Sequence, residues 1–64
     1  MQKLKEVRKA RGLSQRELAK RVGISYQSVS GYENGITYPG LPVARALADV
    51  LEVTLDELFP STVA

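Results

Sequence analysis

Between Gly23 and Gly35 the chain reads GISYQSVSGYENG, a stretch with helical apolar spacing and a single charge, Glu33. Winding residues 26–34 at about 100° per residue puts Val29 and Tyr32 on one side and Gln27, Ser30, Gly31 and Asn34 on the other. The second set follows the i, i+3, i+4, i+7 pattern and offers short amide and hydroxyl groups. Its chemistry is hydrogen bonding to a polar surface brought close. Covalent chemistry has no comparable set. The sequence holds no cysteine and no histidine, which removes the thiolate, the commonest metal ligand and the usual general base. Asp56 and Glu57 are explained by a helix N-terminus, so no catalytic constellation can be assembled. Neither an enzyme, nor a metal site, nor a bound cofactor is expected.

The elements that would present this stripe are marked by local signals. A first helix is predicted from Gln2 to Arg11, stopped by Gly12, with an inward stripe of Leu4, Val7, Arg8 and Arg11. Two arginines therefore fall on the side that should be apolar. A second helix starts at Ser14, where Ser-x-x-Glu (Ser14, Glu17) forms a capping box, and carries Gln15, Leu18, Ala19 and Val22 inward. Only Gly23 and Ile24 separate it from Ser25, the N-cap of a third helix that ends at Asn34-Gly35. That link is too short for an antiparallel return and fits a helix-turn-helix, with Ala19 and Gly23 permitting close approach and Ile24 filling the angle.

After a loop through Thr37, Tyr38 and Pro39, a fourth helix is predicted over Leu41–Leu51, burying Ala44, Leu47, Ala48 and Leu51. Thr54 and Glu57 cap a short fifth helix bearing Leu55, Leu58 and Phe59. Residues 60–64 are expected to be a frayed tail. With 64 residues and no strand signal, the chain reads as one all-α domain spanning residues 1–64, held by packing alone.

Charge is unevenly spread. Residues 1–32 hold eight of the nine Lys/Arg against two acids, a net +6, whereas residues 33–64 hold Arg45 against five acids, a net −4. One end thus suits a polyanion, although solvated helix faces with local pairs would give the same count. The longest apolar run is far short of a membrane span, and no signal-peptide core follows the first lysines, so a cytoplasmic chain without membrane contact is expected.

The segment LSQRELAKRVGISYQSVSGYENG from Leu13 to Gly35, with Val-Thr-Leu-Asp-Glu-Leu at 53–58, resembles the phage-repressor and Cro-like helix-turn-helix family, and the likeness covers nearly the whole chain. The resemblance implies a five-helix, lambda-repressor-like domain that binds double-stranded DNA. In that family the positions matching Tyr26, Gln27 and Gly31 contact bases, and those matching Gln15 and Asn34 contact phosphates. The positions matching Arg8 and Glu33 form an ion pair between the first helix and the recognition helix. Physical reasoning runs alongside: a helix in the major groove must show base edges a surface without bulky obstruction, while phosphates attract the flanks. Base readout then falls to Tyr26, Gln27, Ser30 and Gly31. The amide of Gln27 can pair bidentately with adenine.

Other roles stay open at several positions. Gln15 could be a simple helix-start residue. Tyr26 could stack on sugar, touch a thymine methyl or pack back on the domain. Ser25 and Ser28 are caps or contacts, and Arg16, Thr37 and Tyr38 are candidate phosphate ligands. Arg8 lies on the inward stripe and Glu33 on the rim of the third helix's core side, both with structural roles; Arg11 shows no partner and is expected at a solvated rim. Two positions depart from the family. Gly31 stands where a reading side chain is common, by drift or to permit close approach of DNA. Glu52 stands where glycine is common before the fifth helix.

Together these features point to a sequence-specific regulator of transcription, a repressor binding a palindrome as a homodimer. Val53, Leu55, Phe59 and Val63 are the expected dimer surface, supplying more apolar side chains than so short an end can bury. The alternative is a protein-interaction adaptor or antitoxin-like subunit on the same fold, which should expose an apolar patch.

Overall fold

The computed structural model describes residues 2–59, so Val63 and the rest of the 60–64 segment lie outside the described residues. Five helices follow one another: α1 (Gln2–Ala10), α2 (Gln15–Val22), α3 (Tyr26–Glu33), α4 (Leu41–Leu51) and α5 (Leu55–Leu58), with no strand among the described residues. The all-α class and the lambda-repressor-like arrangement of five helices are therefore as the residues foretold.

Side chains set three of the helix starts. The Ser14 hydroxyl accepts from the Glu17 amide at 3.0 Å while the Glu17 carboxylate accepts from the Ser14 amide at 2.9 Å, the reciprocal box expected. Ser25 caps α3 through the Ser28 amide, and Thr54 caps α5 through the Glu57 amide. At Thr54 the return bond differs: Glu57 takes the threonine hydroxyl rather than its backbone amide.

The helix ends share one device. Leu13 N–H reaches Arg8 O, Ile24 N–H reaches Ala19 O, Ile36 N–H reaches Gly31 O and Val53 N–H reaches Ala48 O, each a six-to-one closure of the last turn. Such closure needs a left-handed residue. Gly12, Gly23 and Gly35 supply it in the first three, and Glu52, at φ 59°, supplies it in the fourth. A Cβ there is unfavourable by about 1–2 kcal/mol.

Glu52 is offset by a contact the sequence did not reveal. Arg11, expected without a partner, donates to the Glu52 carboxylate at 2.9 Å and to its carbonyl at 3.4 Å, across 41 positions of sequence. Both side chains are exposed, so the ion pair contributes well under 1 kcal/mol.

Leu4, Leu13, Leu18, Ala19, Val29, Leu47, Ala48, Leu51 and Leu58 form the core, drawn from all five helices and the α1–α2 link. Ala44 is buried with them. Helix α2 packs on α3 and α4, while α1 braces α3 and α5. Ile24 and Val22 pack against the core at the angle between α2 and α3, where the two-residue link places them.

Val53, Leu55 and Phe59, read as surplus apolar side chains, are half-buried against the chain's own core. Among the described residues the most exposed large apolar groups are Ile36, Tyr38 and Leu41, on and after the loop that follows α3, with Tyr26 at the start of α3 less so. Short terminal helices can still bury one side when α1 and α4 supply the opposing wall.

The left-handed residue yields a stability prediction. Glu52→Gly should stabilise the chain by about 0.5–1 kcal/mol in thermal denaturation, because relief of the left-handed Cβ exceeds the loss of an exposed ion pair. A loss of stability would show that the pair with Arg11 outweighs the backbone.

Candidate nucleic-acid interface

The inner face of α3 is held by charge as well as by packing. Val29 is fully buried, and one turn later Glu33 is buried too, with a side chain only 2 % exposed. This is deeper than the rim position expected from the stripe. Arg8 of α1 meets it with two donors, Nε to Oε2 at 2.6 Å and Nη2 to Oε1 at 3.2 Å. The remaining Nη1 donates to the Leu13 carbonyl at 2.7 Å, and Gln15 Nε2 donates to Glu33 Oε1 at 3.0 Å. Every buried side-chain nitrogen and oxygen among the described residues has a partner. Burial pushes the Glu33 carboxyl up, but the hydrogen bonds from Arg8 and Gln15 and the charges of Arg8 and Lys5 outweigh it and hold the group below its ordinary 4.5.

The outer face of α3 is uncharged. Tyr26 and Gln27 are exposed, Ser28, Ser30 and Gly31 are partly exposed, and Asn34 stands exposed at the end of the helix with its amide on the Ser30 hydroxyl. A cleft of about 560 Å³ runs between this face and the following loop, lined by Tyr26, Gln27, Ser30 and Gly31 on one side and Ile36 and Thr37 on the other. Ser25 Oγ accepts the Ser28 amide as the N-cap bond and touches the Ser28 hydroxyl at 3.1 Å, while Ser28 also lines the cleft. Arg16, on the first turn of α2, lies 4.2 Å from the centre of the Tyr26 ring. Gln15 stands between: part of its amide is committed to Glu33, and the rest remains available beside α3.

Tyr38 takes a different side. It is strongly exposed, but it lines a second cleft of about 340 Å³ with Leu41, Leu55 and Phe59 rather than the cleft of Gln27. Ile36, which the sequence reading passed over, is 77 % exposed and forms the loop wall facing α3. An isolated large aliphatic residue directly after a helix-closing glycine was the available signal.

Gly31 has a cause inside the chain. Its carbonyl accepts from both Ile36 and Thr37 amides, at 2.9 and 3.4 Å, and a Cβ built on it would stand 3.0 Å from the Thr37 hydroxyl oxygen. The glycine lets the loop fold over the helix.

Among the described residues no group of carboxylates could hold a metal ion, and no helix is long and apolar enough to cross a membrane.

A stripe of uncharged donors on the second of two tightly linked helices, locked from behind by a buried ion pair, defines a helix-turn-helix module. The family profile described as Helix-turn-helix matches residues 4–58. The chain belongs to this Cro/C1-type helix-turn-helix family of DNA-binding proteins. It is 36% identical over 59 residues to the HTH-type transcriptional regulator AnsR of Bacillus subtilis, covering 92% of this chain and 51% of that protein. It is 37% identical over 57 residues to the cryptic phage CTXphi transcriptional repressor RstR of Vibrio cholerae, covering 89% and 51%. The HTH-type transcriptional activator BcrR of Enterococcus faecalis is 32% identical over 58 residues, which are 91% of this chain and 28% of that protein. The chain thus spans about half of the length of two of these relatives and about a quarter of the third.

Removing either Arg8 or Glu33 should cost on the order of 3–5 kcal/mol, because the partner is left charged and buried. Replacing both by Met and Leu should cost less than the sum of the two single changes in denaturant unfolding. The pair also sets an acid limit. Since the folded-state value of Glu33 is depressed, its contribution is fully present above about pH 4.5 and is lost as pH falls through the folded value. Stability measured against pH should fall below 4.5 more steeply in the wild type than in the double variant.

At Gly31, helix propensity favours alanine by about 1 kcal/mol, opposed by the crowding at Thr37. Gly31→Ala should therefore stabilise less in the wild-type background than in Thr37→Ala, a difference readable in melting temperatures.

Proposed function

We propose that this chain is a sequence-specific double-stranded DNA-binding regulator of transcription that acts as a repressor, binding a palindromic operator as a homodimer. One observation carries the reading: α3 turns an uncharged hydrogen-bonding face outward while its single charge is buried and paired, and the neighbouring helices α1 and α2 carry exposed cations. Arg16 lies over its first residue, and Lys5 is close enough to Glu33 to bear on the carboxylate. In the major groove such a face can meet base edges while Arg and Lys meet phosphates.

Base contacts are assigned to Gln27 and Ser30, with Tyr26 and Gly31 completing the face; Gly31 permits close approach rather than donating, because its carbonyl already accepts from Ile36 and Thr37. Phosphate contacts are assigned to Gln15, Asn34, Thr37 and the exposed Lys20 and Arg21 of α2. Ser25 and Ser28 serve the site by starting α3 in the right place. Occupying an operator excludes other proteins sterically, so repression needs nothing beyond binding.

A second reading, an adaptor or antitoxin-like subunit, draws on the apolar cleft formed by Tyr38, Leu41, Leu55 and Phe59. In the dimeric reading that same face, widened from the fifth helix to include Tyr38 and Leu41, meets a second copy and accounts for the exposed apolar side chains.

Selection of sites from random duplexes, with the mass of the complex measured, tests the reading. Two half-sites with centres roughly 10 bp apart and two chains per duplex are expected. With several phosphate contacts per subunit, affinity should fall by roughly 10³ to 10⁵ between 50 and 200 mM salt. Salt-insensitive binding, or capture of protein partners without DNA affinity, would favour the adaptor.

A further inference from the structure

Arg16 and Tyr26 meet between the starts of two helices that each already have a serine N-cap. Arg16 is the second residue of α2 and Tyr26 the first of α3, so the short turn brings two helix beginnings together. The guanidinium carbon lies 4.2 Å from the ring centre, within range of a cation–π contact. Its N–H donors have no hydrogen-bond acceptor or carboxylate among the described residues, while the nearby Gln15 amide is drawn inward to Glu33. An exposed arginine with unused donors is thereby held at one place. Tyr26 lines the uncharged cleft, and Arg16 lies against that tyrosine without lining the cleft itself.

We propose that Arg16 is a base-reading residue and Tyr26 its positioning residue, the stack holding the guanidinium so that it takes the O6 and N7 acceptors of one guanine in each half-site. The inference rests on the DNA-binding reading above. Three observations carry it. A helix-turn-helix presents the N-terminal residues of its second helix to base edges, and Arg16 is anchored to the first of these. The cleft itself is lined by no charged side chain, and Arg16 is held against one of its lining residues, Tyr26. A tyrosine has no bidentate pattern for a base, whereas arginine matches guanine O6 and N7 with two parallel donors. A phosphate ligand would need no anchor on the reading helix, since phosphates take charge from many directions.

The experiment compares site selection from random duplexes by the full chain and by Arg16→Ala, Tyr26→Phe and Tyr26→Ala, followed by affinity and salt titrations on the wild-type site. The wild type should select a guanine at one position of each half-site. Arg16→Ala should lose that preference alone and bind the selected site about 5- to 150-fold more weakly, with little change on unrelated duplexes. Tyr26→Phe keeps the ring and should behave as wild type. Tyr26→Ala should blur the same position and weaken binding by about 2- to 5-fold, the worth of an exposed cation–π contact. The proposal is overturned if Arg16→Ala weakens every duplex alike and lowers the salt slope by about one, the signature of a phosphate contact. It is also overturned if Tyr26→Ala alters a different position or none. Either result leaves the DNA-binding reading standing; a wild-type chain that selects no duplex at low salt removes both.

Discussion

The placement of α3 depends on the Arg8–Glu33 pair. An eight-residue helix is too short to persist in water on its own, and α3 fully buries only one aliphatic side chain, Val29. Its outward face is polar for contact with something else, so hydrophobic area alone cannot hold it. The pair supplies the missing constraint near the C-terminal end, while Ile24 and the Ser25 cap fix the N-terminal end. An apolar contact in the same place would permit sliding or rotation. Two donors from one guanidinium onto two carboxylate oxygens do not, because the fork fixes both distance and orientation.

The same pair reaches further than two helices. Arg8 also holds the Leu13 carbonyl in the link before α2, and Glu33 also holds Gln15 at the start of α2. Three segments that would present a surface are thus tied to one buried point. Removing two charges from water is expensive, and the arrangement is tolerable only because Arg8 donates through all three guanidinium nitrogens while Glu33 takes three N–H donors. What the buried charge contributes is the fixed geometry of the outer face rather than stability as such.

How much of this could be read from residues follows from the range of each interaction. Caps were legible because they are set within four residues: Ser14 with Glu17, Ser25 with Ser28, and the glycines that close α1, α2 and α3. The core face of α4 was legible because periodicity alone selects Ala44, Leu47, Ala48 and Leu51. The Arg11–Glu52 contact was not, since nothing in either neighbourhood names a partner 41 positions away. Nor was the half-burial of Val53, Leu55 and Phe59, which depends on walls supplied by distant helices. The depth of Glu33 was underestimated for the opposite reason: a carboxylate reads as a rim residue until its donors are seen.

Gly31 shows why fold and interface cannot be separated at this surface. From the stripe, its missing side chain seemed either accidental or a concession to an external partner. The Ile36 and Thr37 amides instead turn back onto its carbonyl, closing the helix and raising the loop that forms the far wall of the cleft. Without that fold-back α3 would present a convex ridge; with it, the Gln27 and Ser30 side chains stand in a channel bounded by Ile36 and Thr37. A side chain at position 31 would enlarge the reading surface and press on the Thr37 hydroxyl together. The residue that shapes the channel therefore also closes the helix, and any new contact introduced there must be compatible with the loop before it can be useful to a ligand.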